Sequence, residues 1–234
     1  AITLDESVVD NYLSRGACYY SQKEYGRALV DYSRAIDLAP TAQNYECRGI
    51  VHQNMKKYDL AINDFSSAIQ LSPTNSNLYM WRALCYEACN QTEKQCLDYE
   101  QVIRIDPENA DAHFSMGNVL VIRLSQYERA IGCLEKAIAI EPAYSRAYNV
   151  LGYCYECLGK FDVGLECYKK AIEVNPNSAA PYFNIGHRHL SKGKCIEALQ
   201  NINSACMIDS SDPRYLEEHS HLINLLKKRS SAYN

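Results

Sequence analysis

One tryptophan, four phenylalanines and four methionines are all that the 234 residues hold of those types, so aromatic packing falls to the 19 tyrosines. Positive charge is not in excess either. Against 28 Asp and Glu stand 24 Lys and Arg, a net charge of −4, which provides no basic field for nucleic acid or an anionic membrane. No apolar run approaches the ~18 to 20 residues that a membrane-crossing helix needs, and the first residues lack the charged-then-apolar pattern of a secretory leader. Also missing are a glycine-rich phosphate loop, a G-x-S-x-G nucleophile elbow and an H-E-x-x-H metal motif. These gaps point away from catalysis: no enzyme activity, catalytic residue, cofactor or metal site is expected.

Cysteine, by contrast, is plentiful, with 11 in the chain. The cysteines fall inside helical patterning rather than in a spaced framework. They read as reduced thiols used as small apolar packers in a reducing compartment, cytoplasmic or nuclear. Cys154 and Cys157 form a C-x-x-C, yet no second pair stands at zinc-finger distance. His187 with His189, and His219 with His221, are two apart; on a helix such residues point nearly opposite ways and cannot chelate together.

What organises the chain is repetition. Ala35-Ile36, Ala68-Ile69, Val102-Ile103, Ala137-Ile138 and Ala171-Ile172 recur, with a degenerate Ala205-Cys206, at intervals of 33, 34, 35, 34 and 34 residues. A period this regular means stacked copies of one supersecondary unit. Under one another, the copies show a small residue (Gly16, Gly49, Ala83, Gly117, Gly152, Gly186) and, three later, a bulky one (Tyr19, His52, Tyr86, Leu120, Tyr155, His189). Four before the small residue is a ring: Tyr12, Tyr45, Tyr79, His113, Tyr148, Tyr182. A second segment carries Ala28, Ala61, Gln95, Ala130, Gly164, Ala198 and, four beyond, Tyr32, Phe65, Tyr99, Leu134, Tyr168, Ile202. Spacings of three, four and seven place each set on one face of a helix. Pro40, Pro73, Pro107, Pro142 and Pro176 then stop further winding. Each unit is therefore two antiparallel helices that bury their apolar faces only by stacking on neighbours.

These columns resemble the tetratricopeptide repeat (TPR) family, and the resemblance spans about residues 1–228. It implies an all-α fold: a right-handed α-α superhelix of stacked helix pairs. The expected organisation is a tail of a preceding repeat (1–8), repeats at 9–41, 42–75, 76–109, 110–144, 145–178 and 179–212, a C-terminal capping helix (213–228) and a tail (229–234). The opening Ala1-Ile2-Thr3-Leu4 aligns with Ala35-Ile36-Asp37-Leu38, hence the expectation that this is a piece of a longer array. Asp212 suits the N-cap of the last helix. Loosening is expected in repeat three (Ala83, Gln95, Val102), at the extra residue within 121–126, and at Ser210, where the closing proline is missing.

Two columns change together. Arg15, Arg48 and Arg82 precede the small residue in the first three repeats, whose second helices carry Asp31, Asp64 and Asp98. In the last three, Met116, Leu151 and Ile185 face Cys133, Cys167 and Asn201. This covariation predicts three intra-repeat Arg–Asp ion pairs between paired helices.

Members of the family lay extended peptides or partner helices along the surface made by their first helices. Carried onto this chain, that implies a groove including Glu46, Met80, Trp81, Phe114, Asn118, Asn149, Tyr153, Phe183, Asn184 and His187, with Trp81 as a candidate anchor. The family's two-carboxylate clamp is absent, since its positions hold Leu13, Ala17, Cys47, Asn77 and Trp81. An asparagine ladder is not evident either, because that column reads Ser14, Cys47, Trp81, Ser115, Val150, Asn184. Flanking inward positions are Asp10, Glu46, Glu87, Asp111 and Glu156 against Arg146, which favours a neutral to basic ligand segment over an acidic tail. The expected function is a non-catalytic scaffold or adaptor that binds another protein, with no nucleic-acid or membrane partner. The alternatives are the recruiting arm of a larger enzyme, such as a glycosyltransferase-type protein, and self-association.

Overall fold

The computed structural model describes residues 6–231. Among the described residues the apolar stripes become thirteen helices and no strand: α1 (Glu6–Ser21), α2 (Tyr25–Leu38), α3 (Ala42–Asn54), α4 (Tyr58–Leu71), α5 (Ser76–Ala88), α6 (Thr92–Ile105), α7 (Ala110–Ile122), α8 (Tyr127–Ile140), α9 (Ser145–Cys157), α10 (Phe161–Val174), α11 (Ala179–Ser191), α12 (Cys195–Ile208) and α13 (Pro213–Ser231). The all-α class of stacked helix pairs is what forms. The alignment of residues 1–5 with a preceding repeat, and the last residues of the tail, lie outside the described residues. Residues 6–8 form the first turn of α1 rather than the end of another unit, and α13 runs past the expected limit at 228.

The helix ends show why the period is kept. The residue before each closing proline is extended, with φ −142 at Ala39 and −140 at Asn175, because the proline ring crowds out the helical conformation. The sixth repeat has no proline, yet its second helix ends in the same way. Asp209 keeps the extended cap at φ −134, and its Oδ1 accepts from the N–H (3.0 Å) and hydroxyl (2.7 Å) of Ser211. A side-chain turn thus replaces the ring. The extra residue of repeat four is absorbed as regularly. In the other repeats the N–H that opens the second helix bonds the carbonyl five residues back (Glu24 to Tyr19, 2.8 Å), whereas Gln126 reaches one farther, to Leu120, at 2.9 Å. Each of these turns contains a left-handed residue: Lys23, Lys56, Asn90, Ser125, Gly159 or Gly193.

The chain divides into two compact units, Ala1–Ala112 and His113–Asn234, and the division falls inside α7. It coincides with the point where the Arg–Asp couple gives way to an apolar residue opposite Cys133, Cys167 or Asn201. In the first unit helices pack in chain order, and the core is built where the small and aromatic columns meet. Ala28, Tyr32 and Val51 form one cluster, Ala61, Phe65 and Cys85 the next. In the second unit Cys195, Ala198, Ile202 and Leu222 join α12 to α13. Burial pushes the Cys85 and Cys154 thiols up to about 12, so both stay protonated and behave as apolar packers.

The Arg–Asp couples of the first unit are direct, two-pronged ion pairs. Nε and Nη2 of Arg15 donate to Asp31 at 2.8 and 2.7 Å, those of Arg48 to Asp64 at 3.0 and 2.7 Å, and those of Arg82 to Asp98 at 2.9 and 2.7 Å. Arg48 Nη1 also donates to Ser33 Oγ (3.2 Å) and Arg82 Nη1 to Ser66 Oγ (3.0 Å), so each guanidinium fastens its own repeat to the preceding one. The Arg15 side chain makes no such serine bond among the described residues and is 58% exposed, against 24% for Arg48 and 18% for Arg82.

Repeat three carries a local defect. Gln95 occupies the alanine column at 1% exposure, and its Nε2 has no hydrogen-bond partner among the described residues. A buried, unpaired amide donor costs about 1 to 3 kcal/mol. Gln95→Met keeps the side-chain volume and removes the orphan, and is expected to stabilise the protein by about 1 kcal/mol. The readout is a higher urea midpoint at unchanged slope; an unchanged or lower midpoint would show that the amide is satisfied.

Candidate functional site

In the first unit, the residues assigned to the groove are half-buried. Trp81 packs against the Ala61–Phe65–Cys85 cluster together with Ile50, so its ring fills the joint between the second and third repeats. Met80 and Glu46 are also half-buried, and desolvation lifts the Glu46 carboxyl above the usual carboxylate range.

The second unit holds a groove of about 550 Å³ bounded by α7, the start of α8, α9, α11 and the first turn of α13. Five assigned residues line it together: Asn118 from α7, Asn149 and Tyr153 from α9, and Phe183 and Asn184 from α11. Their proximity follows from the repeat, since stacking sets the same face of successive first helices side by side. Asn184 Nδ2 donates to Asn149 Oδ1 at 2.9 Å, linking two first helices across the floor. Val121, Ile122, Val150 and Ala180 supply the apolar lining.

Two assigned residues stand apart from this lining. Phe114 stacks on Tyr144 at 4.9 Å beneath the Arg146 guanidinium, 5.0 Å from its ring. His187 is exposed, 6.3 Å from Phe183. Glu156, counted among the inward acids, accepts a hydrogen bond from the Tyr168 hydroxyl at 2.9 Å. That contact ties it to its own repeat.

Three lining residues are not among those assigned to the groove. Tyr127, the first residue of α8, meets Tyr153 edge-on at 6.5 Å. Tyr215 and Arg214 come from the capping helix, where Tyr215 packs on Phe183 at 4.9 Å. The available signal was Tyr215 itself, a tyrosine outside every repeat column and directly after the Asp212-Pro213 helix start.

The groove is electrically balanced. Arg214 is the charged residue in its lining, and Asp212 holds it through Nε–Oδ1 (3.0 Å) and Nη2–Oδ2 (2.6 Å). Asp212 also caps α13, its Oδ1 accepting from the Arg214 N–H at 2.9 Å, and this bonding keeps its carboxyl below the usual range. Tyr153 is 45% exposed, and a hydrogen bond with Cys157 raises its hydroxyl above the usual tyrosine value. The lining can therefore offer amides, hydroxyls and ring faces, but neither a nucleophile beside a base nor a charged clamp. Among the described residues, no group of three His, Cys, Asp or Glu could hold a metal ion, and no helix is long and apolar enough to cross a membrane.

Paired antiparallel helices at a regular period, with interior alanine, glycine and ring columns, define a helical repeat protein. Tetratricopeptide repeat models match residues 9–41, 43–75, 76–109, 98–132 and 145–178. The chain belongs to the tetratricopeptide repeat family. Its fold is similar to that of several solved proteins. MamA from Desulfovibrio magneticus RS-1 superposes with a TM-score of 0.66 at 19% identity, covering 74% of this chain and 97% of that one. YrrB, described as a TPR protein with an unusual peptide-binding site, gives 0.64 at 21% identity over 81% of this chain and 97% of its own. The Cut9–Hcn1 assembly of the APC/C gives 0.70 at 14% identity, covering 93% of this chain and 43% of that one. No curated protein matches the sequence.

Proposed function

We propose that this chain is a non-catalytic interaction module, a scaffold or adaptor whose second unit holds an extended segment of another protein in the groove along α7, α9 and α11. The observation that carries this reading is the convergence of Asn118, Asn149, Tyr153, Phe183 and Asn184, from three consecutive repeats, on one open groove. Interior packing does not call for such a set: polar amides and a largely exposed ring stand on a surface where core residues would be apolar. A neutral to basic partner segment suits the lining, because Asp212 already neutralises Arg214 and an acidic tail would find no unengaged cation. The 11 cysteines, several of them buried in the core, suit a reducing compartment such as the cytoplasm or nucleus. YrrB, with its peptide-binding site, supplies a precedent on a similar fold.

The test is capture of partners by the intact chain beside Tyr153→Ala and Asn149→Ala. A partner retained by wild type and reduced about tenfold by either substitution fits the groove. Equal retention by all three would place the binding surface elsewhere.

A further inference from the structure

The lining of this groove has a chemistry narrower than "extended peptide". Its exposed and half-buried rings are Tyr127, Tyr153 and Phe183, and its polar groups are the amides of Asn118, Asn149 and Asn184. The Asn184 NH₂ already donates to the Asn149 oxygen, which leaves the Asn149 NH₂ as a donor and the Asn184 oxygen as an acceptor for a ligand. Tyrosine hydroxyls add further donors. Charge is cancelled at Arg214 by Asp212. A matching occupant offers hydrogen-bond acceptors, is uncharged, and lays flat apolar rings against aromatic faces.

Resting on the groove reading above, we infer that the second unit selects a neutral, proline-rich segment in the polyproline II conformation. Such a segment has no internal hydrogen bonds, and its carbonyls project outward as acceptors. Its pyrrolidine rings suit tyrosine and phenylalanine faces, as in other aromatic-lined grooves that take such ligands. Being already extended, it loses little conformational freedom on binding. A partner helix satisfies its own backbone and would make little use of the three amides, and an acidic segment would meet no unengaged cation.

The test uses the whole chain and two fluorescein-labelled, uncharged decapeptides, one proline-rich and one with every proline replaced by alanine, followed by fluorescence anisotropy. The proline-rich peptide is expected to bind at least about tenfold more tightly, to weaken about tenfold on Tyr153→Ala, and to recover with Tyr153→Phe, which keeps the ring face. Equal binding of both peptides, lost with Tyr153→Ala, would overturn the proline selectivity and leave the groove standing. Binding of the proline-rich peptide that neither Tyr153→Ala nor Asn149→Ala alters would remove both. Failure of both peptides to bind would overturn the inference, while partner capture continues to test the groove.

Discussion

Arg48→Leu is expected to destabilise the protein by about 3 kcal/mol, whereas Arg48→Leu with Asp64→Cys should cost about 1 kcal/mol or less. The single change strands the Asp64 carboxylate, which is 4% exposed and otherwise accepts three bonds from the guanidinium. Only His52, whose Nδ1 lies 2.9 Å from Asp64 Oδ2, remains beside it. The double change installs the couple that repeat five already uses, Leu151 with Cys167, and leaves no buried charge. It also forfeits the His52 contact and the Arg48–Ser33 bond between repeats, hence a small residual cost. Urea denaturation at neutral pH measures both. A double variant as unstable as the single would show that the pair is worth its full Coulomb attraction. The same exchange at Arg15 is expected to matter less, because that guanidinium is mostly solvated and makes no bond to a neighbouring repeat among the described residues.

Gly152→Ala is expected to cost about 3 kcal/mol, and Gly132→Ala to stabilise by about 0.5 to 1 kcal/mol. A Cβ at Gly152 would stand 2.6 Å from Tyr168 Cε1 and 2.9 Å from the Gly164 carbonyl oxygen, and one at Gly164 would stand 2.8 Å from the Gly152 oxygen. Two glycines let α9 and α10 touch backbone to backbone, so neither the tyrosine nor the main chain can give way cheaply. Gly132 sits mid-helix with nothing within 4 Å of the added carbon, and there alanine only removes a helix-weakening residue. Thermal melts of the two variants should move in opposite directions. A shift of the same sign in both would mean that the α9–α10 approach is looser than described.

Much of this fold is legible in the sequence because each contact that builds a hairpin is local. Gly49 and Phe65, or Arg48 and Asp64, lie 16 residues apart, a spacing kept in every copy but the fourth, where it is 17, so repetition exposes them as covarying columns. The left-handed turn position escaped that reading. It holds Lys23, Lys56, Asn90 and Ser125 as well as two glycines, since the bond closing the turn tolerates any of them. The columns also do not show that Trp81, off the packing stripe of its own repeat, packs on Ala61 and Phe65 of the repeat before it as well as on Cys85.

By itself, the order of amino acids determined the helix pairs, their period, and the boundary between repeats with and without an Arg–Asp pair. Which side chains share a groove was decided by tertiary structure alone. Tyr153 meets Tyr127 of a preceding second helix, and Phe183 meets Tyr215 of the capping helix, through distances between stacked elements that no periodicity encodes. The physical reason is that a column specifies a direction from a helix axis, whereas a binding surface depends on how far apart the axes settle once the rings between them are packed.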